Sequence, residues 1–141
     1  MSESDRINLA TALLIERLVR DAYADRAPGS VTPLQWAILR AILRAKADPC
    51  TQGWISRFVG VTAAPVNRAI KALERHGAVS LRRDENDGRQ MIVELTPTGY
   101  ELLKRDPILV ISRRLDRLEP DKRVEFRRVL QQLFVGGITI E

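Results

Sequence analysis

The feature that most constrains this chain is a pair of short helical stretches, joined by a glycine turn and followed by a charged hairpin. Thr51 is placed to cap a helix through Phe58, with Trp54, Ile55 and Phe58 turned inward. Gly60 ends that helix, and Val61 leads into Thr62 as the cap of a second one running to His76. Pro65 falls in its first turn, where a missing N–H is tolerated, and Gly77 is the left-handed stop. Val66, Ile70 and Leu73 recur at helical spacing as a buried stripe. Ala64, Arg68, Lys71 and Arg75 recur on another, cationic face. Two helices joined in this way are a helix-turn-helix, whose second helix enters the DNA major groove. Val79 to Arg83 and Gln90 to Leu95 are strand-like, and Asp84-Glu85-Asn86-Asp87-Gly88 between them is turn chemistry. A helix-turn-helix plus hairpin is a winged helix.

The flanks are helical. Residues Ser4 to Asp25 read as a helix capped by Ser4, with apolar residues on more than one face. Such a helix is buried on two sides, one of which a second subunit can supply. Ala27 to Val31 is a loop. Thr32-Pro33 opens the next helix, carrying Trp36, Ile38, Leu39, Ile42 and Leu43 and ending near Ala45 to Asp48. After the hairpin, Thr96 or Thr98 opens a helix that Pro107 kinks or splits. Glu119-Pro120-Asp121 opens the last helix, which Gly136-Gly137 ends. The expected fold is mainly α with a small β-hairpin wing, a single domain over 1–141. Its winged lobe occupies about 32–99, and dimerisation helices occupy about 4–25 and 98–135.

The net charge of +5 is uneven. Residues 57–89 hold 7 basic and 4 acidic side chains, whereas 1–56 hold 7 and 6 and 90–141 hold 9 and 8. A basic patch confined to one module is the footprint of a nucleic-acid binder; a solvated surface with chance asymmetry is the plain alternative. No apolar run reaches the length of a membrane span, and the polar N-terminus lacks a signal-peptide pattern, so a cytoplasmic protein is expected. A single cysteine, Cys50, excludes an internal disulfide framework, and a single histidine, His76, excludes a histidine metal cluster. With no phosphate-cradling glycine loop and no grouped carboxylates, no catalytic set, metal or cofactor is expected.

Several fragments together resemble the MarR family of bacterial transcriptional regulators. They are Leu34-Gln35-Trp36-Ala37-Ile38-Leu39 after Thr32-Pro33, then Gly60-Val61-Thr62, Val66-Asn67-Arg68 and Leu73-Glu74-Arg75-His76-Gly77-Ala78-Val79. The most specific are Asp87-Gly88-Arg89 and, at the family's spacing, Val93-Glu94-Leu95-Thr96-Pro97-Thr98-Gly99. The resemblance implies a homodimer on an inverted-repeat operator, each recognition helix in a major groove and each wing on the flanking minor groove. It also implies a repressor released by a small amphipathic or aromatic effector held between the dimer helices and the DNA-binding lobe.

The DNA-binding residues expected on these grounds are Thr62, Asn67, Arg68, Lys71, Arg75, Arg82, Arg83, Asp87 and Arg89. Arg89 at the wing tip suits a narrow minor groove, with Asp87 pairing an arginine to fix the wing; a solvated turn with an intraloop salt bridge is the alternative. Arg82 and Arg83 would meet phosphates. Asn67 can present a bidentate pair to adenine and Arg68 to guanine, or either can touch phosphate. Lys71 and Arg75 suit phosphates or solvent, and Thr62 can serve as cap and phosphate contact together, although the cap alone is a sufficient explanation. Ala63-Ala64-Pro65 departs from the family, where these positions are often polar; here they offer only thymine-methyl contacts. Tyr23, Trp36 and Tyr100 are candidate effector-lining residues, although Trp36 is more simply core. Cys50 lies in a loop, away from the first-helix position of the family's oxidant sensors, so an incidental cysteine is expected. The competing reading is a winged-helix module for protein–protein assembly, with little or no specific DNA binding.

Overall fold

A hydroxyl three residues ahead of a free backbone N–H starts four of the helices in the computed structural model, which describes residues 1–24, 30–45 and 49–134. Ser2 caps α1 (Glu3–Ala22), Thr32 caps α2 (Pro33–Arg44), Thr51 caps α3 (Gln52–Val59) and Thr96 caps α5 (Pro97–Leu103). Each accepts from the third helical residue: Asp5, Gln35, Trp54 and Gly99. The first helix starts two residues earlier than the Ser4 cap implies. Ser2 has Asp5 three residues on, whose carboxylate returns a bond to the Ser2 N–H and completes a capping box. Ser4 would face Ile7, which has nothing to return. The loop expected at 27–29, residues 46–48 and the Gly136-Gly137 stop lie outside the described residues.

Between α3 and α5 run α4 (Ala63–Arg75), β1 (Val79–Arg83) and β2 (Met91–Leu95). Pro107 does split the helix that follows: α6 (Ile108–Leu115) is separate from α5, and α7 (Pro120–Gln132) comes last. The strands pair antiparallel, with Val79 opposite Leu95 and Arg83 opposite Met91. Thr51 adds a one-residue bridge to Ile92, and the Val93 N–H donates to Cys50 O at 2.8 Å. The stretch ahead of α3 is thereby tied to β2.

The chain divides into two compact units, residues 25–106 and residues 1–24 with 107–141. In the first, Ile38 and Leu39 of α2, Ile55 of α3, Val66, Ile70 and Leu73 of α4, and Val93 of β2 are all fully buried. Each such side chain contributes about 1.5–3 kcal/mol. Trp36 joins this core at 6 % exposure, so it does not line an open effector site. Phe58 does not point inward as its spacing suggests. It is 52 % exposed and stacks on Trp54, four residues back on the same helix, at 5.0 Å between ring centroids.

Two backbone positions hold this unit in register. Gly77 has φ +74° and closes α4, with its N–H donating to Glu74 O and the Ala78 N–H to Leu73 O. At Gly99, an added Cβ would stand 2.1 Å from Ala78 O, so the first turn of α5 lies directly on the α4–β1 corner. Thr96 fastens the same corner: its N–H donates to Ala78 O and its hydroxyl to Gly77 O. After α5, Asp106 is 4 % exposed and receives Nε and Nη2 of Arg40, both at 2.6 Å.

The second unit comprises α1, α6 and α7, with α1 packing on α6. Among its described residues only Ala22 is buried. Ile7, Leu13, Leu14 and Val19 of α1 and Val124, Val129 and Leu133 at the C-terminal end all stand exposed.

Candidate nucleic-acid interface

The helix α4 presents the two faces its spacing predicts. Val66, Ile70 and Leu73 are at 0 % exposure, while Ala63, Ala64, Arg68, Lys71 and Arg75 are exposed. Among the described residues, none of Arg68, Lys71 and Arg75 is drawn into an ion pair that would neutralise this face. Asn67 sits half-buried between the faces, and its Oδ1 is turned inside with no hydrogen-bond partner. A bidentate pair with adenine needs both amide atoms at the surface, so this rotamer does not offer the pair expected of Asn67.

The expected side-chain cap at Thr62 is absent. Thr62 has the extended backbone of an N-cap (φ −63°, ψ 161°) but makes no side-chain cap bond. The four caps that do form all accept from the third helical residue, and in α4 that residue is Pro65, which has no N–H. The Thr62 hydroxyl is therefore released from capping, and it is exposed at the start of the helix.

The wing tip is fastened by its own acidic residues. Asp84 Oδ1 accepts from the Asn86 N–H, and Asp87 Oδ1 accepts from the Arg89 N–H at 3.1 Å. Asp87 Oδ2 accepts from Gln90 Nε2, and Arg83 Nη1 donates to Gly88 O. Asp87 therefore shapes the tip through an Asx turn and not through the arginine pair expected of it. Gln90 belongs to this turn, which is why β2 starts one residue later, at Met91.

Arg82 and Arg83, each expected at a phosphate, differ in their surroundings. Successive strand residues face opposite sides of a sheet. Arg82 Nε donates to Glu94 Oε1 at 2.8 Å. That hydrogen bond, with the charge of the Glu94 carboxylate, raises the pKa of the guanidinium. Arg82 also lines a cleft of about 410 Å³ with Ile42, Cys50, Ile92 and Tyr100. Of the aromatic residues proposed for an effector, Tyr100 is thus at a cleft wall, Trp36 is in the core, and Tyr23 is half-buried in the other unit. Cys50 is buried, which pushes its thiol up to about 11 and leaves little reactive thiolate at neutral pH.

Arg89 is exposed and lines a second cleft, of about 330 Å³, with Thr51, Gln52, Gly53, Arg57, Gln90 and Met91. Arg57 was not among the residues expected at the interface. The one trace of it in the sequence is its position four residues after Gly53, on the same helical face.

Comparison with known proteins agrees with this architecture. A family model described as the MarR family matches residues 30–90. An HTH-type transcriptional repressor of Mycobacterium tuberculosis is 28% identical over 116 residues, covering 80% of this chain and 82% of that protein. Among solved structures, a probable transcriptional regulator from Pseudomonas aeruginosa superposes with a TM-score of 0.71 at 25% identity, over 94% of this chain and 100% of that one. The Bordetella bronchiseptica regulator BpsR, described by the regulation of its DNA binding by 6-hydroxynicotinic acid, superposes with a TM-score of 0.68 at 20% identity, over 91% and 98%.

Proposed function

Starting from the chain's membership of the MarR family of winged helix-turn-helix, DNA-binding transcriptional regulators, which are not enzymes, we propose that it works as a homodimeric repressor on an inverted-repeat operator. Each α4 lies in a major groove, with Arg68, Lys71 and Arg75 toward the DNA. Thr62 meets a phosphate at the helix start, and the wing brings Arg83 and Arg89 against the flanking backbone and minor groove. Asn67 contributes to base reading only after a change of rotamer, and Asp87 acts by shaping the wing.

The observation that carries this reading is the division of α4 into a fully buried stripe and an exposed cationic one. The burial fixes the helix on the lobe, and the cations are left for a polyanion. The homodimer is supported by the second unit. A body of three helices with one buried residue among those described and a row of exposed aliphatic side chains lacks a core of its own. A second copy of the same apolar surfaces supplies one. Release by a small amphipathic or aromatic effector is supported by BpsR, whose DNA binding is regulated by 6-hydroxynicotinic acid. In this chain, the Tyr100 cleft has a volume suited to a small-molecule site.

The test is a gel-shift titration against the DNA upstream of the chain's own gene, at several salt concentrations. Salt-sensitive, sequence-preferring binding is expected, and Arg89→Ala should weaken it about 10-fold with the dimer intact. A protein that shows no sequence preference at any salt concentration is an assembly module instead.

A further inference from the structure

The cleft between the first turn of α3 and the start of β2 has a lining with one electrostatic sign. Among the described residues its walls are Thr51, Gln52, Gly53, Arg57, Arg89, Gln90 and Met91: two guanidiniums, two primary amides and no carboxylate. Among the described residues, neither Arg57 nor Arg89 forms an ion pair. In the same lobe, Arg40 holds Asp106 and Arg82 holds Glu94. The two arginines come from separate elements. The Thr51–Ile92 bridge and the Val93-to-Cys50 bond bring α3 and β2 together. The guanidinium of Arg57 folds back along the first turn of α3, its Nη1 3.6 Å from where a Cβ on Gly53 would stand. On the wing side, the Asp87 turn fixes the backbone of Arg89.

We infer that Arg57 and Arg89 form a two-jawed cradle for a single DNA backbone phosphate, held between the helix-turn-helix and the wing. The inference rests on the DNA-binding reading above, and it changes what Arg89 does there. Its guanidinium stops at the groove edge, on a phosphate it shares with Arg57, instead of entering the minor groove to read its floor. Planar guanidiniums suit this task because each presents parallel N–H donors to phosphate oxygens. A phosphate is the occupant because the cleft is uniformly cationic or neutral and opens on the same lobe as the cationic face of α4. Contacts of this kind position the protein on the duplex and carry no sequence information.

The experiment uses a duplex selected by the wild-type chain from a random library, and a scrambled duplex of equal length. Affinities are measured by fluorescence anisotropy across a salt series for wild type, Arg57→Ala, Arg89→Ala, the double variant and Arg57→Lys. Arg57→Ala should weaken both duplexes by a common factor of about 10, with Arg57→Lys recovering part of the loss. Because one phosphate is shared, the double variant should flatten the dependence of log K on log salt by about one in total, not two. Replacing A·T by I·C pairs alters the chemistry of the major groove and retains that of the minor groove, so G·C pairs are used under the wing instead. That exchange should leave the Arg89→Ala penalty unchanged. An unaffected Arg57→Ala variant, a slope change of about two, or an Arg89→Ala penalty that vanishes on the G·C duplex would each overturn the cradle while DNA binding stands. Failure of the wild-type chain to select any duplex would overturn the DNA-binding reading and the cradle with it.

Discussion

Gly99 shows what a single residue contributes. A short apolar–threonine–glycine stretch can be recognised in the sequence as a pattern, but its physical content is a contact between two backbones. The site of a missing Cβ lies 2.1 Å from Ala78 O, and backbone cannot move aside as a flexible side chain can. Gly99→Ala should therefore cost about 3 kcal/mol, lowering Tm by roughly 10 °C in a thermal melt. A variant with unchanged Tm would mean that α5 is not seated on the α4–β1 corner. Thr96 is legible as a helix cap, but its second duty is not. Its hydroxyl donates to Gly77 O while its oxygen accepts from the Gly99 N–H, which links a helix end and a helix start nineteen residues apart.

At the scale of elements, helix starts and the hairpin could be read locally, because a cap and its donor lie three residues apart. Ser2 outcompetes Ser4 through the reciprocal carboxylate of Asp5, a local rule applied at the wrong serine. The pair of Arg40 and Asp106 could not be read, since 66 residues separate its members and neither position carries a distinctive pattern. The pair fixes the segment after α5 against α2. Asp106→Ala leaves the Arg40 guanidinium, whose side chain is 26 % exposed, without its carboxylate. A loss of about 3 kcal/mol is expected in urea denaturation, and a loss within the error of the extrapolation would show the pair to be dispensable. Arg57 escaped notice for a related reason: its approach to Arg89 depends on the bridge between Thr51 and Ile92, a tertiary feature.

For the whole molecule, the decisive contrast is between a lobe with a full core and a helical unit that buries one described residue. The apolar excess of the first helix was visible in the sequence, and so was the need for something to cover it. The proposed homodimer can be challenged at Leu14, which is 69 % exposed in the lone chain. If the chain acts as a monomer, Leu14→Glu is a surface change and nearly silent. If two copies pair through this surface, Leu14→Glu should shift sedimentation at micromolar concentration from dimer to monomer and lower operator affinity at least 10-fold. An unchanged dimer would move the interface off this face of α1.

The missing cap at Thr62 has a consequence in time as well as in space. With Pro65 in the position that normally supplies the capped donor, the amides of Ala63 and Ala64 open α4 without a side chain to protect them, on an exposed surface. In the proposed complex, the end of the helix that meets the polyanion is also the end without a side-chain cap. A phosphate arriving there would supply the acceptor that the sequence withholds. Proton exchange at these two amides is then a clock set by occupancy, fast in the free protein and slow on DNA.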